Sequence, residues 1–330
     1  MSEIKEVKYG FQKHLSSEFP SQIIVDATQF CNLACVHCPH PNFIKTDAYS
    51  GAHLDVNLHK KLIDEVATDG LGICQYIRYT ANGETLIHPN FDKMIEYAGK
   101  YAKTKINVTT NGVLLSERKA KKLLDAGVNV FDISLDAYSD ETYAKIRING
   151  DLSRVRSNVL KLIELVKNGN YNARLVVSFV EQPLNTHEAK LFEDYWSDSG
   201  ADFVIIRRLH SAGGAKEGIK SKIEEGFKEI SRKPCLYPWE RLTITPEGDL
   251  SYCPTDWMNK SHFIHFSKTT IKEAWQSEFM QNLRKAHLNN SYDNYDFCKQ
   301  CPDWIHTRWP LEGKGYANMM QEIVPSDLVN

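Results

Sequence analysis

The sequence carries no excess charge of either sign: 40 Lys and Arg stand against 42 Asp and Glu, for a net charge of −2. Nucleic acid and anionic membranes select a basic surplus, so neither is expected as a partner. Long hydrophobic runs are also missing. Stretches such as Val204-Ile205-Ile206 stop far short of the ~20 apolar residues that span a bilayer. The opening MSEIKEVKYGFQKHL is charged throughout, which argues against a secretory signal and leads us to expect a cytoplasmic protein. Tryptophan is absent from the first 195 residues, since Trp196, Trp239, Trp257, Trp275, Trp304 and Trp309 account for all six. The remainder is ordinary for a folded chain. With 42% hydrophobic and 25% charged residues over 330 positions, one large domain and one small one are expected rather than a disordered or fibrous chain.

Eight cysteines stand out, at 31, 35, 38, 74, 235, 253, 298 and 301. They fall as three, one and four. A chain of this length without an export signal is a poor candidate for a disulfide framework, and tight spacing in a cytosolic setting points to metal.

Short β-branched runs alternate with amphipathic stretches through the first 210 residues. Strands are predicted over Gln22–Ala27, Gln75–Thr80, Lys105–Thr110, Asn129–Asp136, Arg174–Val180 and Asp202–Leu209. Leu58, Leu62 and Val66 have helical spacing, as do Phe91, Met94, Ile95 and Ala98. Ser116 and Ser139 stand where helix N-caps belong. Six βα units in series imply a parallel sheet with right-handed crossovers. Six are too few for a closed eight-stranded barrel, so the expected fold is α/β, a partial (β/α)6 barrel. We expect an N-terminal extension over 1–20, the barrel over 21–210, a linker with a helix at Ile219–Ile230 over 211–232, and a Trp-rich, Cys-rich domain over 233–330.

Chemistry in such barrels collects at the C-terminal ends of the strands. Cys31–Cys38, Gly83-Glu84, Asn111-Gly112, Asp136, Glu181, Arg207, Arg208 and His210 all follow or close a strand and are expected at one mouth. Cys74 precedes the second strand and belongs at the opposite end.

Cys31-Asn-Leu-Ala-Cys35-Val-His-Cys38 reads C-x3-C-x2-C. Three thiolates in eight residues can wrap one face of a compact iron–sulfur core, which takes four ligands. Supplying three leaves one iron with open coordination sites. A structural zinc site with a distant fourth ligand is the alternative on spacing alone. The chain resembles the radical S-adenosylmethionine (radical SAM) enzymes beyond this triad. His37 holds the place before the third cysteine that is usually aromatic in that family. Asn82-Gly83-Glu84-Thr85 matches the Gly-Gly-Glu-Pro motif that grips the methionine amino group, with the acid kept and the proline lost. Thr109-Thr110-Asn111-Gly112 and Ile133-Ser134-Leu135-Asp136-Ala137 are similar to the third- and fourth-strand motifs, the latter reaching the ribose. Tyr143-Ala-Lys-Ile-Arg147 resembles the helix whose Arg commonly meets the SAM carboxylate. The resemblance implies a [4Fe-4S] cluster on Cys31, Cys35 and Cys38 that chelates SAM, reductive release of a 5′-deoxyadenosyl radical, and hydrogen abstraction from substrate. It also implies an electron donor such as flavodoxin or ferredoxin.

Downstream, Cys235 and Cys253 read C-x12-G-x4-C around Gly248 and flank a predicted hairpin, Arg241–Thr245 and Leu250–Cys253. Cys298-Lys-Gln-Cys301 follows a predicted helix at Ile271–Leu288. On spacing alone, four thiolates suit zinc as well as a cluster. The pattern resembles the auxiliary-cluster region of the SPASM and twitch subfamilies. Full SPASM needs seven cysteines, and none follows Cys301, so the chain is closer to the twitch form, typified by 2-deoxy-scyllo-inosamine dehydrogenase. That likeness implies one auxiliary [4Fe-4S] cluster on Cys235, Cys253, Cys298 and Cys301, fully ligated and suited to take an electron.

Three cysteines plus four leave only Cys74 as a thiol hydrogen donor, with Tyr79 as a possible substitute, so dehydrogenation is favoured over epimerisation. Arg207, Arg208 and His210 can bind a phosphate or carboxylate and supply a general base. With Glu181 and Tyr79 they form the expected substrate set. Trp257, Trp304 and Trp309 offer a stacking platform or, more often for such residues, core. With about 20 residues before the first strand, no room for a leader-binding domain is expected, which weakens a peptide substrate. A small carbohydrate-like molecule (a sugar, cyclitol or sugar nucleotide) is the expected substrate. A sugar epimerase, a peptide-modifying enzyme or a metal-bearing interaction protein are the alternatives.

Overall fold

The computed structural model describes residues 9–310 and 312; the first part of the expected N-terminal extension and the end of the C-terminal region lie outside them. Six strands form a parallel sheet: β1 (Gln22–Val25), β2 (Tyr76–Tyr79), β3 (Lys105–Thr110), β4 (Val130–Ser134), β5 (Arg174–Glu181) and β6 (Phe203–Arg208). Three more follow: β7 (Arg241–Ile244), β8 (Asp249–Ser251) and β9 (His262–His265). The order is β6-β5-β4-β3-β2-β1-β7-β8-β9, so β6 remains an edge and the barrel is partial.

Strand β7 pairs parallel with β1, Gln22 opposite Arg241 and Val25 opposite Ile244. The cysteine-bearing C-terminal region therefore begins inside the barrel sheet. The reason lies in strand parity. Leu242 and Ile244 join Ile23 and Val25 in the apolar layer between sheet and helices, which Ile77, Val108, Phe131, Val177 and Phe179 continue. The opposite face is polar in the middle of the sheet, with Gln22, Arg78, Asn107, Asp132, Ser178 and Thr243. Parallel strands covered on both faces are normally apolar on both. The polar face of the barrel interior instead bonds across the strands, as Arg78, Asp132 and Ser178 do.

Capping follows the sequence where the side chains are decisive. The hydroxyls of Ser116 and Ser139 accept from the N–H groups of Lys119 and Thr142. The predicted single helix over Ile271–Leu288 is instead two, Ile271–Gln276 and Glu278–Leu288. Ser277 separates them with ψ 155°, its hydroxyl donating back to the Ala274 carbonyl and accepting from the Met280 N–H. Apolar periodicity runs through the break and hides it. The linker helix is Glu217–Gly226, and its approach is anchored: the N–H groups of Ser211 and Gly213 both donate to the Asp303 carboxylate at 2.8 Å.

Candidate functional site

The loop after β1 holds Cys31, Cys35 and Cys38. It docks on the end of helix Asp140–Ile146, where Ala34 and Val36 donate to the carbonyls of Ile148 and Ile146 at 3.0 Å. Cys35 is buried and its neighbours are half-buried. Burial pushes the Cys31 thiol up to about 12 and the Cys38 thiol up to about 11. Both lie close enough to Cys35 to feel its charge. Three thiols crowded in a dry pocket are poor anions without a cation, which is the donor chemistry an iron–sulfur core relieves.

Arg147 is fixed beside them. Its Nη1 donates to Cys35 Sγ at 3.6 Å, and its Nη2 lies 2.5 Å from Asp136 Oδ2. Burial works against the Arg147 charge, but Asp136 and Cys35 outweigh it and hold the guanidinium protonated. Asp136 adopts φ +65° and is held by the Val180 N–H at 2.7 Å and, through its carbonyl, by Asn185. His37 Nε2 is 3.7 Å from Asp136. Burial lowers its pKa to about 4, so near neutral pH this contact is not an ion pair.

The strand-two and strand-three motifs are tied to each other. Glu84 is buried and accepts from Thr110 Oγ1 at 2.6 Å, Asn111 N–H at 2.8 Å and Leu86 N–H at 3.2 Å. Burial raises its pKa and the Asn111 N–H opposes the rise. Asn111 in turn donates its side-chain amide to Asn32 in the cysteine loop at 2.9 Å. Gly83 cannot be larger, because a Cβ there would lie 1.9 Å from the Thr28 carbonyl oxygen. Thr85 is buried at the start of the following turn, and Ser134 is half-buried at the end of β4. Glu84, Asn111 and Arg147 bond to the cysteine loop or to its first residue, and Arg147 and Glu84 are groups that could hold an amino acid moiety there.

The second thiol set is also assembled. Cys235, Cys253, Cys298 and Cys301 lie close enough to perturb one another, and burial raises each pKa, to about 11 for Cys235 and about 12 for Cys298. Tyr252 contacts Cys298, Thr255 Oγ1 is 3.2 Å from Cys253 Sγ, and Arg232 Nη2 donates to the Cys298 carbonyl at 2.6 Å. Among the described residues no three His, Cys, Asp or Glu side chains form a single-ion site; the thiols are neighbours without converging on one point.

The expected substrate residues separate. Tyr79 does not reach the mouth. Strand parity turns it into the helix layer, where it is fully buried, edge-on to Phe91, with its hydroxyl 2.7 Å from His59 Nε2. Arg208 and Glu181 are exposed and opposite each other in register; Glu181 accepts from Thr186 Oγ1 at 3.2 Å. His210 is exposed, accepts the Ala212 N–H at 3.1 Å, and lies near both His37 and His306. Arg207 alone turns into the barrel. It meets Asp132 at 2.8 Å, alongside Arg78 at 2.9 Å. Burial opposes ionisation of Asp132, yet Arg207 and Arg78 outweigh it and hold the carboxyl below its usual value. Sequence reading missed Arg78 and Asp132, although a charge in mid-strand on the inward parity is a readable signal.

Cys74 is buried at the foot of β2, its thiol donating to the Tyr76 carbonyl at 3.6 Å. Burial raises its pKa to about 12. The tryptophans build no shared platform. Trp309 is core against Trp239, and Trp257 packs edge-on against Phe43 beside the first cysteine loop.

A parallel partial barrel with three thiols at its mouth and four more at its C-terminal flank defines an iron–sulfur protein of the α/β-barrel class. Comparison with known families is specific: residues 25–180 match the radical SAM superfamily, and residues 235–302 match an iron-sulfur cluster-binding domain, SPASM. The chain is a member of the radical SAM superfamily carrying a SPASM domain, and it uses [4Fe-4S] chemistry and SAM. Among curated relatives, a probable GTP 3′,8-cyclase from Methanocaldococcus jannaschii is 28% identical, over 88% of this chain and 82% of its own length. The subtilosin biosynthesis protein AlbA of Bacillus subtilis is 24% identical, over 80% of this chain and 63% of its own. Among solved structures, BtrN in complex with AdoMet and 2-DOIA has a TM-score of 0.57 at 17% identity, covering 85% of this chain and 92% of that one. Streptococcus suis SuiB bound to precursor peptide SuiA has a TM-score of 0.62 at 12% identity, covering 94% and 74%. These two likenesses are of fold. No helix among the described residues is long and apolar enough to cross a membrane.

Proposed function

We propose that this protein oxidises a secondary alcohol of a carbohydrate-like substrate to a ketone, with one cluster on Cys31, Cys35 and Cys38 and one auxiliary cluster on Cys235, Cys253, Cys298 and Cys301. When bound, S-adenosylmethionine reduced by one electron from the first cluster would supply methionine and a 5′-deoxyadenosyl radical for hydrogen abstraction, and the auxiliary cluster an acceptor for the second electron. Arg147 and Glu84 orient the cofactor. His210, exposed near both His37 and His306, is placed to take the hydroxyl proton. We further propose a cytoplasmic setting and flavodoxin or ferredoxin as reductant.

The carrying observation is the fate of the eighth cysteine. Seven fall into the two sets, and Cys74 is buried behind the second strand with its thiol on a carbonyl. An epimerase must return a hydrogen atom to the opposite face of its product. Cys74 cannot reach a substrate from there, and Tyr79 is occupied in the helix layer. A second reading, peptide modification, is supported by the AlbA likeness over 80% of the chain.

Anaerobic reconstitution followed by incubation with candidate sugars in deuterated water tests the reading. A ketone with one deoxyadenosine per turnover is the expected result. A stereo-inverted product carrying deuterium would show an epimerase instead, and zinc without deoxyadenosine would remove radical chemistry altogether.

A further inference from the structure

Arg232, in the linker just ahead of Cys235, is half-buried and carries a charge that no carboxylate answers. Its Nη2 donates to the Cys298 carbonyl at 2.6 Å and its Nη1 to the Lys299 carbonyl at 3.2 Å. The guanidinium lies over the Tyr292 ring, 4.1 Å from its centroid, with the Trp304 ring at 5.9 Å. Its Nε is buried without a partner. The next residue, Lys233, has its own anion in Glu312 at 2.6 Å, but among the described residues Arg232 forms no ion pair. The carboxylates nearest the second thiol set are engaged elsewhere. Asp303, beside Cys301, takes the N–H groups of Ser211 and Gly213, and Asp256, beside Cys298, takes those of Met258 and Ser261.

A cation withdrawn from water is costly unless an anion compensates it. What lies against Arg232 is the second thiol set. The carbonyl it grips belongs to Cys298 itself, so one residue's covalent frame holds the guanidinium near that sulfur. Its charge also reaches Cys235, opposing the burial that raises both thiols. Four thiolates around a [4Fe-4S] core make an anion, and an added electron makes it more negative. A fixed cation beside it favours the reduced form, and net charge is one of the levers that set such potentials.

We propose that Arg232 raises the reduction potential of the auxiliary cluster held by Cys235, Cys253, Cys298 and Cys301, and so fits that cluster to accept an electron. This rests on the proposed oxidation and deepens it. There the ketyl radical left by hydrogen abstraction loses its hydroxyl proton and one electron to become a ketone, and the oxidised auxiliary cluster would gain that electron. Arg232 is a positioning residue, acting on the acceptor and not on substrate.

The midpoint potential of the auxiliary cluster, followed by EPR through an anaerobic redox titration, tests this. The full chain carrying Cys31→Ala, Cys35→Ala and Cys38→Ala leaves only the second set to report. In that background Arg232→Gln should lower the midpoint by at least about 59 mV, a tenfold change for one electron. Arg232→Lys keeps the charge and should recover more than half of the drop. Lys121→Gln, which removes a surface cation paired with Asp125, should change nothing. Should Arg232→Gln lose its iron, Arg232→Met, which keeps apolar packing on Tyr292 and Trp304, carries the test with the same expected drop. An unmoved midpoint with the cluster intact, or loss of iron in both variants, makes Arg232 a structural tie and overturns the assignment. A background chain that holds no second cluster would reject the electron acceptor of the proposed oxidation and this inference together. An unmoved midpoint in an enzyme that forms ketone would reject this inference alone. A lowered midpoint in one that forms none would reject the proposed oxidation alone.

Discussion

Asn82 donates its side-chain amide to the Asp256 carbonyl at 3.0 Å, so the Asn82–Thr85 turn after β2 is joined directly to the loop that follows Cys253. The same residue's backbone N–H donates to Asp26 at the end of β1. Asp256 accepts in its turn from the N–H groups of Met258 and Ser261. The position is glycine in the family motif, and a side chain here serves as a tie between the regions of the two thiol sets.

Asn82→Ala removes that tie and keeps the backbone contact. A loss of about 1 kcal/mol is expected for one hydrogen bond. It should read as an apparent Tm lower by a few degrees for the anaerobically reconstituted protein. An unchanged Tm would show that the amide is equally well satisfied by water.

Gly83→Ala should be far more damaging. The added carbon would sit 1.9 Å from a backbone oxygen, which cannot rotate away as a side-chain tip can. Overpacking costs about 1–3 kcal/mol in ordinary cores, and the upper end is expected here. Deoxyadenosine formation should fall with it, because the glycine sits between the cysteine loop and Glu84. Wild-type SAM cleavage in the variant would contradict this.

The two thiol sets predict separable phenotypes. A variant with Cys31, Cys35 and Cys38 all changed to Ala should keep about half the iron, as one cluster of two implies, and make no deoxyadenosine. Changing Cys253 and Cys301 to Ala should also lower iron, yet leave uncoupled SAM cleavage measurable while product formation stops. Iron assays and deoxyadenosine quantification on the purified variants decide it. Equal loss of SAM cleavage in both would mean that the second set is required for the first.

Stability should fall with acid in a way that His59 partly controls. Burial lowers its pKa from 6.5 to about 3, and its Nδ1 has no partner. Between those values the unfolded chain binds the proton and the folded one does not, so stability rises with pH from about 3 to 6.5 and is lost as pH falls through that window. The size is a few kcal/mol at most. His59→Gln keeps a polar group for the Tyr79 hydroxyl and should flatten the dependence of denaturant midpoint on pH between 4 and 6.5. An unaltered slope would place the titration elsewhere.

Much of this was legible in the residues. The six barrel strands fall within two residues of the predicted boundaries at either end, because short β-branched runs mark them and polar loops bound them. The motif residues also landed together, since each closes or follows a strand and the barrel geometry does the rest. What failed was parity. Tyr79 and Arg78 are neighbours on one strand, and one faces helices while the other faces the barrel interior. A tyrosine near a strand end looks like a mouth residue until the alternation is counted from the apolar Ile77. Strand β9 escaped because its residues His262–His265 are half-buried with no clean alternation. The pairing of β7 with β1 was invisible for another reason: local sequence says that a strand exists, not which strand it lies beside.

That pairing has a consequence for how the chain matures. Strand β1 is flanked by β2 on one side and β7 on the other, so the strand carrying the first cysteine loop is completed only by residues 241–244. Contacts this far apart in sequence are slow to form. Until about three-quarters of the 330 residues have been synthesised, β1 is an open edge, the kind of exposed backbone that invites aggregation. A cluster loaded at Cys31, Cys35 and Cys38 during synthesis would meet an unfinished support, and the C-terminal region acts as a folding clasp for the first cysteine loop as well as the seat of its own thiols.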